Sequence, residues 1–183
     1  MRLLLDRFYL GCGILSCISI VFIVAVVAAQ VFLNTLDAIA EMLGLPGLGI
    51  MIPSYSMFSG YGLAFATFTA LGPAIRNGAH IRVTLLQERL PGSVQRPLLV
   101  LIALVGTLIG ALMTWAMLGM AYESWDFGDK SSGLVAVPLW VPQSMLCFGS
   151  FALFVACADL FFEFLFWGRS DAFNEPVADE GGA

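Results

Sequence analysis

The residues of this 183-residue sequence that could do chemistry inside an apolar segment are two acids, Asp159 and Glu163. They are four positions apart, so on a helix both carboxylates project from one face about one turn apart. One interpretation is a proton or cation site, because an ionisable group within a membrane often marks such a site. The other is an ion pair with Arg76, Arg82 or Arg89, or with a partner subunit. Their place near the end of the apolar segment favours the ion pair.

The other reactive side chains do not assemble into a recognisable site. His80 is the single histidine, and one histidine excludes bis-histidine haem ligation within this chain. No nucleophile motif, phosphate loop or paired catalytic carboxylate is present. The four cysteines lie in apolar runs with no CxxC spacing, at Cys12, Cys17, Cys147 and Cys157. The sequence therefore predicts no enzyme, no catalytic or cofactor-binding residue and no metal site.

Composition limits the class of protein. Hydrophobic residues make up 60% of the sequence and charged residues only 11%, too few to cover a water-soluble globule of this size. Several uncharged stretches exceed the roughly 20 residues that a helix needs to cross a bilayer. No basic patch is interleaved with exposed aromatic residues, so nucleic acid is not an expected partner. An all-α integral membrane protein is predicted.

The uncharged stretches predict four transmembrane helices, at about 9–33, 54–75, 98–122 and 138–166. A Gly- and Pro-rich stretch follows the first span and predicts a short surface helix at about 37–45. A second surface helix is expected at about 81–90, where apolar residues recur at helical spacing opposite Arg82, Gln87 and Arg89. Residues 1–170 would form one membrane domain, and residues 171–183 a disordered cytoplasmic tail.

The basic residues predict the orientation. Lys130 alone falls on one side of the predicted spans, and seven arginines fall on the other: Arg2, Arg7, Arg76, Arg82, Arg89, Arg96 and Arg169. Because cytoplasmic segments carry the excess of Lys and Arg, both termini and the central loop are expected in the cytoplasm.

Small residues on two predicted helices suggest close helix packing. They recur every four residues in the second span, at Gly62, Ala66, Ala70 and Ala74, and again in the third span, at Gly106 and Gly110. Such faces let helices approach closely. Whether they contact helices of this chain or of another subunit stays open.

Two stretches carry a resemblance to a known family. The first reads Arg76-Asn77-Gly78-Ala79-His80-Ile81-Arg82-Val83, followed by Leu85-Leu86 and Leu90-Pro91. The second comprises Ser132, Leu134, Pro138-Leu139-Trp140-Val141-Pro142-Gln143 and Gly149. With its length and four predicted spans, the sequence resembles the small, DctQ-type membrane subunits of tripartite ATP-independent periplasmic (TRAP) transporters. It departs from many members before the second span, where Met51–Met57 replaces an acidic segment that often contains Trp-x-Glu-Glu.

The resemblance implies a three-part importer in the bacterial inner membrane. A periplasmic binding protein would deliver an organic acid or similar solute, and a large membrane subunit would hold the substrate and sodium sites and move as an elevator. The small subunit would brace the fixed scaffold of the large one and contribute to the periplasmic docking surface. Residues expected to contact partners or lipid are Arg76, His80, Arg82, Arg89, Trp140, Gln143, Asp159 and Glu163.

Two other functions compete with this one. A self-contained, homodimeric four-helix transporter should carry an acid in mid-span, and the predicted spans have none there. A membrane anchor of a redox enzyme would need haem-ligating histidines or a quinone site, and one loop histidine is insufficient. Both rank below the transporter subunit.

Overall fold

A computed structural model describes residues 2–47, 49–76 and 92–166, apart from the side chains of residues 92, 93 and 96. Within these ranges the chain forms four α-helices: α1 (Arg2–Met42), α2 (Tyr55–Arg76), α3 (Gly92–Phe127) and α4 (Trp140–Phe166). Three of them, α1, α3 and α4, are long and apolar enough to cross a membrane. The predicted all-α membrane architecture is confirmed.

Helix α2 is more polar than the other three. It contains 22 residues, which correspond to about 33 Å of helix at 1.5 Å per residue. Ser, Thr, Gly and Tyr residues lower its hydropathy, and Pro73 lies at the start of its last turn. Its length matches the hydrocarbon thickness, but length alone does not make it a span.

The helix bounds differ from the predicted ones at several ends. Helix α1 continues through Met42, so the first part of the predicted surface helix 37–45 is an extension of α1. The physical reason is that neither Gly nor Pro occurs between Gly13 and Gly44, and the φ of 73° at Gly44 favours glycine and ends the turn. The predicted surface helix 81–90 and tail 171–183 lie outside the described residues.

The helices pack in an open row in the order α1, α2, α4, α3. Helix α2 packs between α1 and α4, and α4 packs between α2 and α3, whereas α1 touches α4 only slightly. The residue contacts make α1 antiparallel to α2, α2 parallel to α4, and α3 antiparallel to α4. Along the helix axes, the row has two ends. One end holds Arg2, Arg76 and Glu163 and is called the charged end, after its ion pairs. The opposite end holds Gln30 and Ser54 and is called the Gln30 end.

Small residues set the spacing within the row. A methyl group added at Gly149 of α4 would lie 2.6 Å from Cβ of Phe68 on α2. One added at Gly110 of α3 would lie 2.8 Å from Cα of Phe154 on α4. The predicted small face of α3 therefore packs against α4, and Gly62 of α2 packs against α1 in the same way. Both faces are used inside this chain.

Candidate functional site

Arg76 ends α2 and faces both acids of α4. Its Nη1 donates a hydrogen bond of 2.9 Å to Oε1 of Glu163 and lies 3.4 Å from Oδ2 of Asp159. The guanidinium also lies at the C-terminus of α2, where the helix dipole favours a positive charge. Of the ion-pair partners that the sequence left open for these acids, the described residues show Arg76.

Arg2 brings α1 into the same cluster. Its Nη2 donates to Oε1 of Glu163 over 3.3 Å, so one carboxylate oxygen accepts from two arginines on two helices. Glu163 is buried, with 4% of its side chain exposed, whereas the side chain of Arg2 is 59% exposed. Sequence reasoning used Arg2 only to set the orientation. The first turn of α1 and the last turns of α4 carry opposite charges on the same predicted side of the membrane. This pattern could have predicted the contact between Arg2 and Glu163.

The cluster joins the ends of three helices, α1, α2 and α4. A buried charge is costly unless it is paired, and here each acid has a guanidinium beside it. Removing one partner of such a pair leaves the other charge uncompensated, so the pairs fix how α2 and α4 align. This arrangement suits a structural clamp.

The described residues do not gather a metal-binding set. No group of three or more His, Cys, Asp or Glu side chains among them is close enough to hold an ion. The four cysteines, all within these ranges, are free thiols.

Two predicted contact residues lie at the Gln30 end, far from the ion pairs of Arg76. Trp140 packs edge-to-face against Trp125, with 4.9 Å between the ring centroids. In the amide orientation that satisfies both of its ends, Gln143 donates to the hydroxyl of Ser124 over 2.7 Å and to the carbonyl of Met120 over 3.0 Å. Both side chains thus join α3 to α4. His80, Arg82 and Arg89 lie outside the described residues.

Neutral hydrogen bonds fold the two loops of this end onto the helices. The backbone N–H of Ile52 donates to Oε1 of Gln30, which is buried inside α1. The backbone N–H of Val135 donates to Oγ of Ser54, a residue with a φ of 58° just before α2. Sequence reasoning missed both contacts, because each joins residues far apart in the chain.

Comparison with known proteins decides the family. The family described as "Tripartite ATP-independent periplasmic transporters, DctQ component" matches residues 23–166. The chain belongs to this DctQ family. A similar protein is the "Ectoine TRAP transporter small permease protein TeaB" of Halomonas elongata, 28% identical over 142 residues that cover 74% of this chain and 72% of that protein. No solved structure shows significant similarity to the chain.

The DctQ match confirms the resemblance that the sequence motifs predicted. It covers both motifs and contains all of α2 and α4, so Arg76, Asp159 and Glu163 fall inside it. Arg2 lies before the matched residues. DctQ proteins are subunits of transporters rather than a family of enzymes, which agrees with a multi-pass membrane protein.

Proposed function

We propose that this DctQ-family chain is the small permease subunit of a TRAP transporter in the bacterial inner membrane. It would brace the scaffold of a large membrane subunit during sodium-coupled import of an organic acid or similar solute. A periplasmic binding protein would deliver that solute to the complex. Solute and sodium would be bound by the other chains.

The observation that carries this proposal is the distribution of charge along the helices. Every Asp, Glu, Lys and Arg of the described helices lies toward a helix end, and the central parts carry none. A chain that itself moved an ion would need an ionisable group in mid-membrane. A brace needs only packing faces. The outer helices of the row offer such faces, as at Leu112, Trp115 and Leu118 of α3.

The proposed brace has an energetic requirement. It must bind the fixed part of the large subunit and not the moving part, because binding both would penalise movement between the two states. A four-helix row would widen the fixed part and resist its tilting in the bilayer.

The proposal includes four membrane spans with the charged end in the cytoplasm. The positive-inside distribution and the length of α2 support it. So does the convergence of Arg2, Arg76 and Glu163, since it requires the start of α1 and the ends of α2 and α4 to share one side. Reporter fusions test this orientation. A periplasmic-active reporter that works at Ala183 but not at Asp129 would overturn it.

The remaining predicted contacts belong to the same proposal. Arg82 and Arg89, with His80 nearby, would hold lipid phosphates at the cytoplasmic edge, each arginine contributing about 1 kcal/mol through anionic lipid. Trp140 and Gln143 would lie at the periplasmic edge, near the surface where the binding protein docks. Asp159 and Glu163 would serve pairing within the chain.

Reconstitution tests the function. Purified chain in liposomes should show no uptake, whereas the chain with its large subunit and the loaded binding protein should import solute under a sodium gradient. Solute-specific uptake by this chain alone would refute the proposal. Full uptake by the large subunit without this chain would also refute the bracing role.

A further inference from the structure

Tyr9 places a buried hydroxyl at the charged end of the row. It lies on α1, about two helical turns after Arg2, and only 5% of the residue is exposed. Its Oη is buried and makes no hydrogen bond to any of the described residues. Burying a hydroxyl without a partner is costly, and in a protein interior nearly all such groups are satisfied. The hydroxyl therefore requires a partner.

The surroundings of this hydroxyl are charged. Tyr9 and Arg2 are seven positions apart, so they share one face of α1, and Arg2 on that face contacts Glu163 of the cluster that joins α2 to α4. Electrostatic coupling of the hydroxyl to Asp159, Arg76 and Glu163 agrees with this placement. Asp6 on α1 also acts on it, more weakly. Tyr9 and the cluster thus form one polar region rather than two separate ones.

Asp159 is the member of the cluster whose carboxylate can accept a further hydrogen bond. Its contact is the 3.4 Å ion pair with Nη1 of Arg76, and its side chain accepts no hydrogen bond within the described residues. An ionised carboxylate offers about four acceptor positions. The side chain of Asp159 is also 20% exposed, which gives a small ligand a route in from the membrane boundary.

We propose that a bound water molecule joins Tyr9 to Asp159. Oη of Tyr9 donates to the water, and the water donates to the Asp159 carboxylate. Buried waters typically make two to four hydrogen bonds to buried polar groups, and this water would make two. A cation would be the competing ligand, because oxygen atoms bind it as well. Arg2 and Arg76 already place two positive charges against Asp159 and Glu163, so a neutral ligand fits better.

The water site would change how α1 is held. Helix α1 touches α4 only slightly, and the Arg2 side chain that pairs with Glu163 is largely exposed. Exposed ion pairs contribute little, because water and salt screen them. The link from Tyr9 through water to Asp159 would be a buried polar connection between these two helices.

The direction in which Tyr9→Phe changes the unfolding midpoint tests the water site. With a water bridge, Tyr9→Phe in the purified full chain in lipid nanodiscs should lower the unfolding midpoint by about 2–4 °C. In an Asp159→Leu background, or in the milder Asp159→Asn background if the first fails to fold, that decrease should vanish or shrink. Tyr122→Phe is the matched control and should cause no shift, because Tyr122 is 69% exposed on α3.

Each of the other outcomes would overturn the proposal. An unchanged or higher midpoint for Tyr9→Phe would mean that the hydroxyl has no ligand. An undiminished decrease in both Asp159 variants would place its partner elsewhere, residues 77–91 included. Stabilisation by sodium over choline at equal ionic strength, lost in Tyr9→Phe, would identify a cation instead.

Radiolytic labelling gives a readout that needs no variant. Hydroxyl radicals formed from bound water should label Tyr9 despite its burial. Absence of label on Tyr9 would refute the bound water.

Discussion

The two sides of α2 are held by different kinds of contact. On the side of α4, Gly149 of α4 lies close to Phe68 of α2, and Gly72 of α2 lies close to the backbone of Ala152 of α4. No hydrogen bond joins the two helices along this stretch of the described residues. On the side of α1, Ser16 donates to the carbonyl of Ala66 over 2.9 Å, and Ser19 donates to that of Gly62 over 2.8 Å.

The difference teaches which contacts stabilise a helix row in lipid. Helices in a bilayer gain little from the hydrophobic effect, so van der Waals packing and hydrogen bonds hold them together. Interhelical hydrogen bonds in membranes average about 0.6 kcal/mol, because the separated helices also find partners. Separated helices find no comparable substitute for the close packing around glycine. The α2–α4 side should therefore be the more sensitive of the two.

Gly149→Ala should have the largest effect. The added methyl group would lie 2.6 Å from Cβ and 2.7 Å from the carbonyl carbon of Phe68, atoms that move only if the helices separate. Overpacking of this kind costs about 1–3 kcal/mol. We expect a clear fall in the unfolding midpoint in nanodiscs and less assembled complex.

A second glycine provides the control for this substitution. A methyl group at Gly119 of α3 meets nothing within 4 Å, so Gly119→Ala should leave the midpoint unchanged or raise it. Equal losses for both variants would show that the effect does not come from the α2–α4 contact, because the higher helix propensity of alanine alone can only raise stability.

Removing the hydrogen bonds on the other side should cost less. The double variant Ser16→Ala, Ser19→Ala loses two bonds, or about 1 kcal/mol in all. The expected result is a small decrease in midpoint with assembly retained. A decrease as large as that of Gly149→Ala would contradict the difference between the two sides.

Gly62→Ala sharpens the comparison, because it places a methyl group on the hydrogen-bonded side. The nearest atom would be Cγ1 of Ile23 at 2.9 Å, part of a side chain that can shift, whereas Gly149 faces backbone. We expect a cost below about 1 kcal/mol. Unfolding midpoints of Gly62→Ala and Gly149→Ala, measured side by side, check the order, and the reverse order would show that side-chain mobility does not decide it.

Asp159→Asn should have the smallest effect on transport. If the ion pairs only complete the α2–α4 contact, the variant should assemble with the proposed large subunit and leave the sodium-to-solute ratio of the proposed transporter unchanged. The ratio is measured as coupled fluxes in proteoliposomes, with the wild-type complex as the reference. A changed ratio in a fully assembled complex would make this side of α2 part of ion coupling.

Some of this arrangement could be predicted from the sequence. Hydropathy located the helices, and the charges near their ends predicted an ion pair for Asp159 and Glu163, with Arg76 as one of the possible partners. The family followed from two short motifs. These features depend on residue types that are close in the chain or that must lie at one membrane boundary.

Other features could not be predicted. Hydropathy marks where a chain can leave the membrane but not where its helix ends, which is why α1 was expected to stop before Met42. The order of helices in the row depends on contacts such as Gly149 with Phe68, between residues about eighty positions apart. The pairing of Arg2 with Glu163 is similar, since an exposed arginine has many possible partners.

The open row has a mechanical consequence. At the interaxial distance of about 8–10 Å that is typical of packed helices, four helices in a row form a plate that is several times wider than it is thick. For a plate of given material, stiffness against bending rises steeply with the dimension along which it is bent. Such a plate resists shear in its own plane while it yields across its thin direction. A subunit with this anisotropy can follow local undulations and thickness changes of the bilayer and still transmit lateral force along the row.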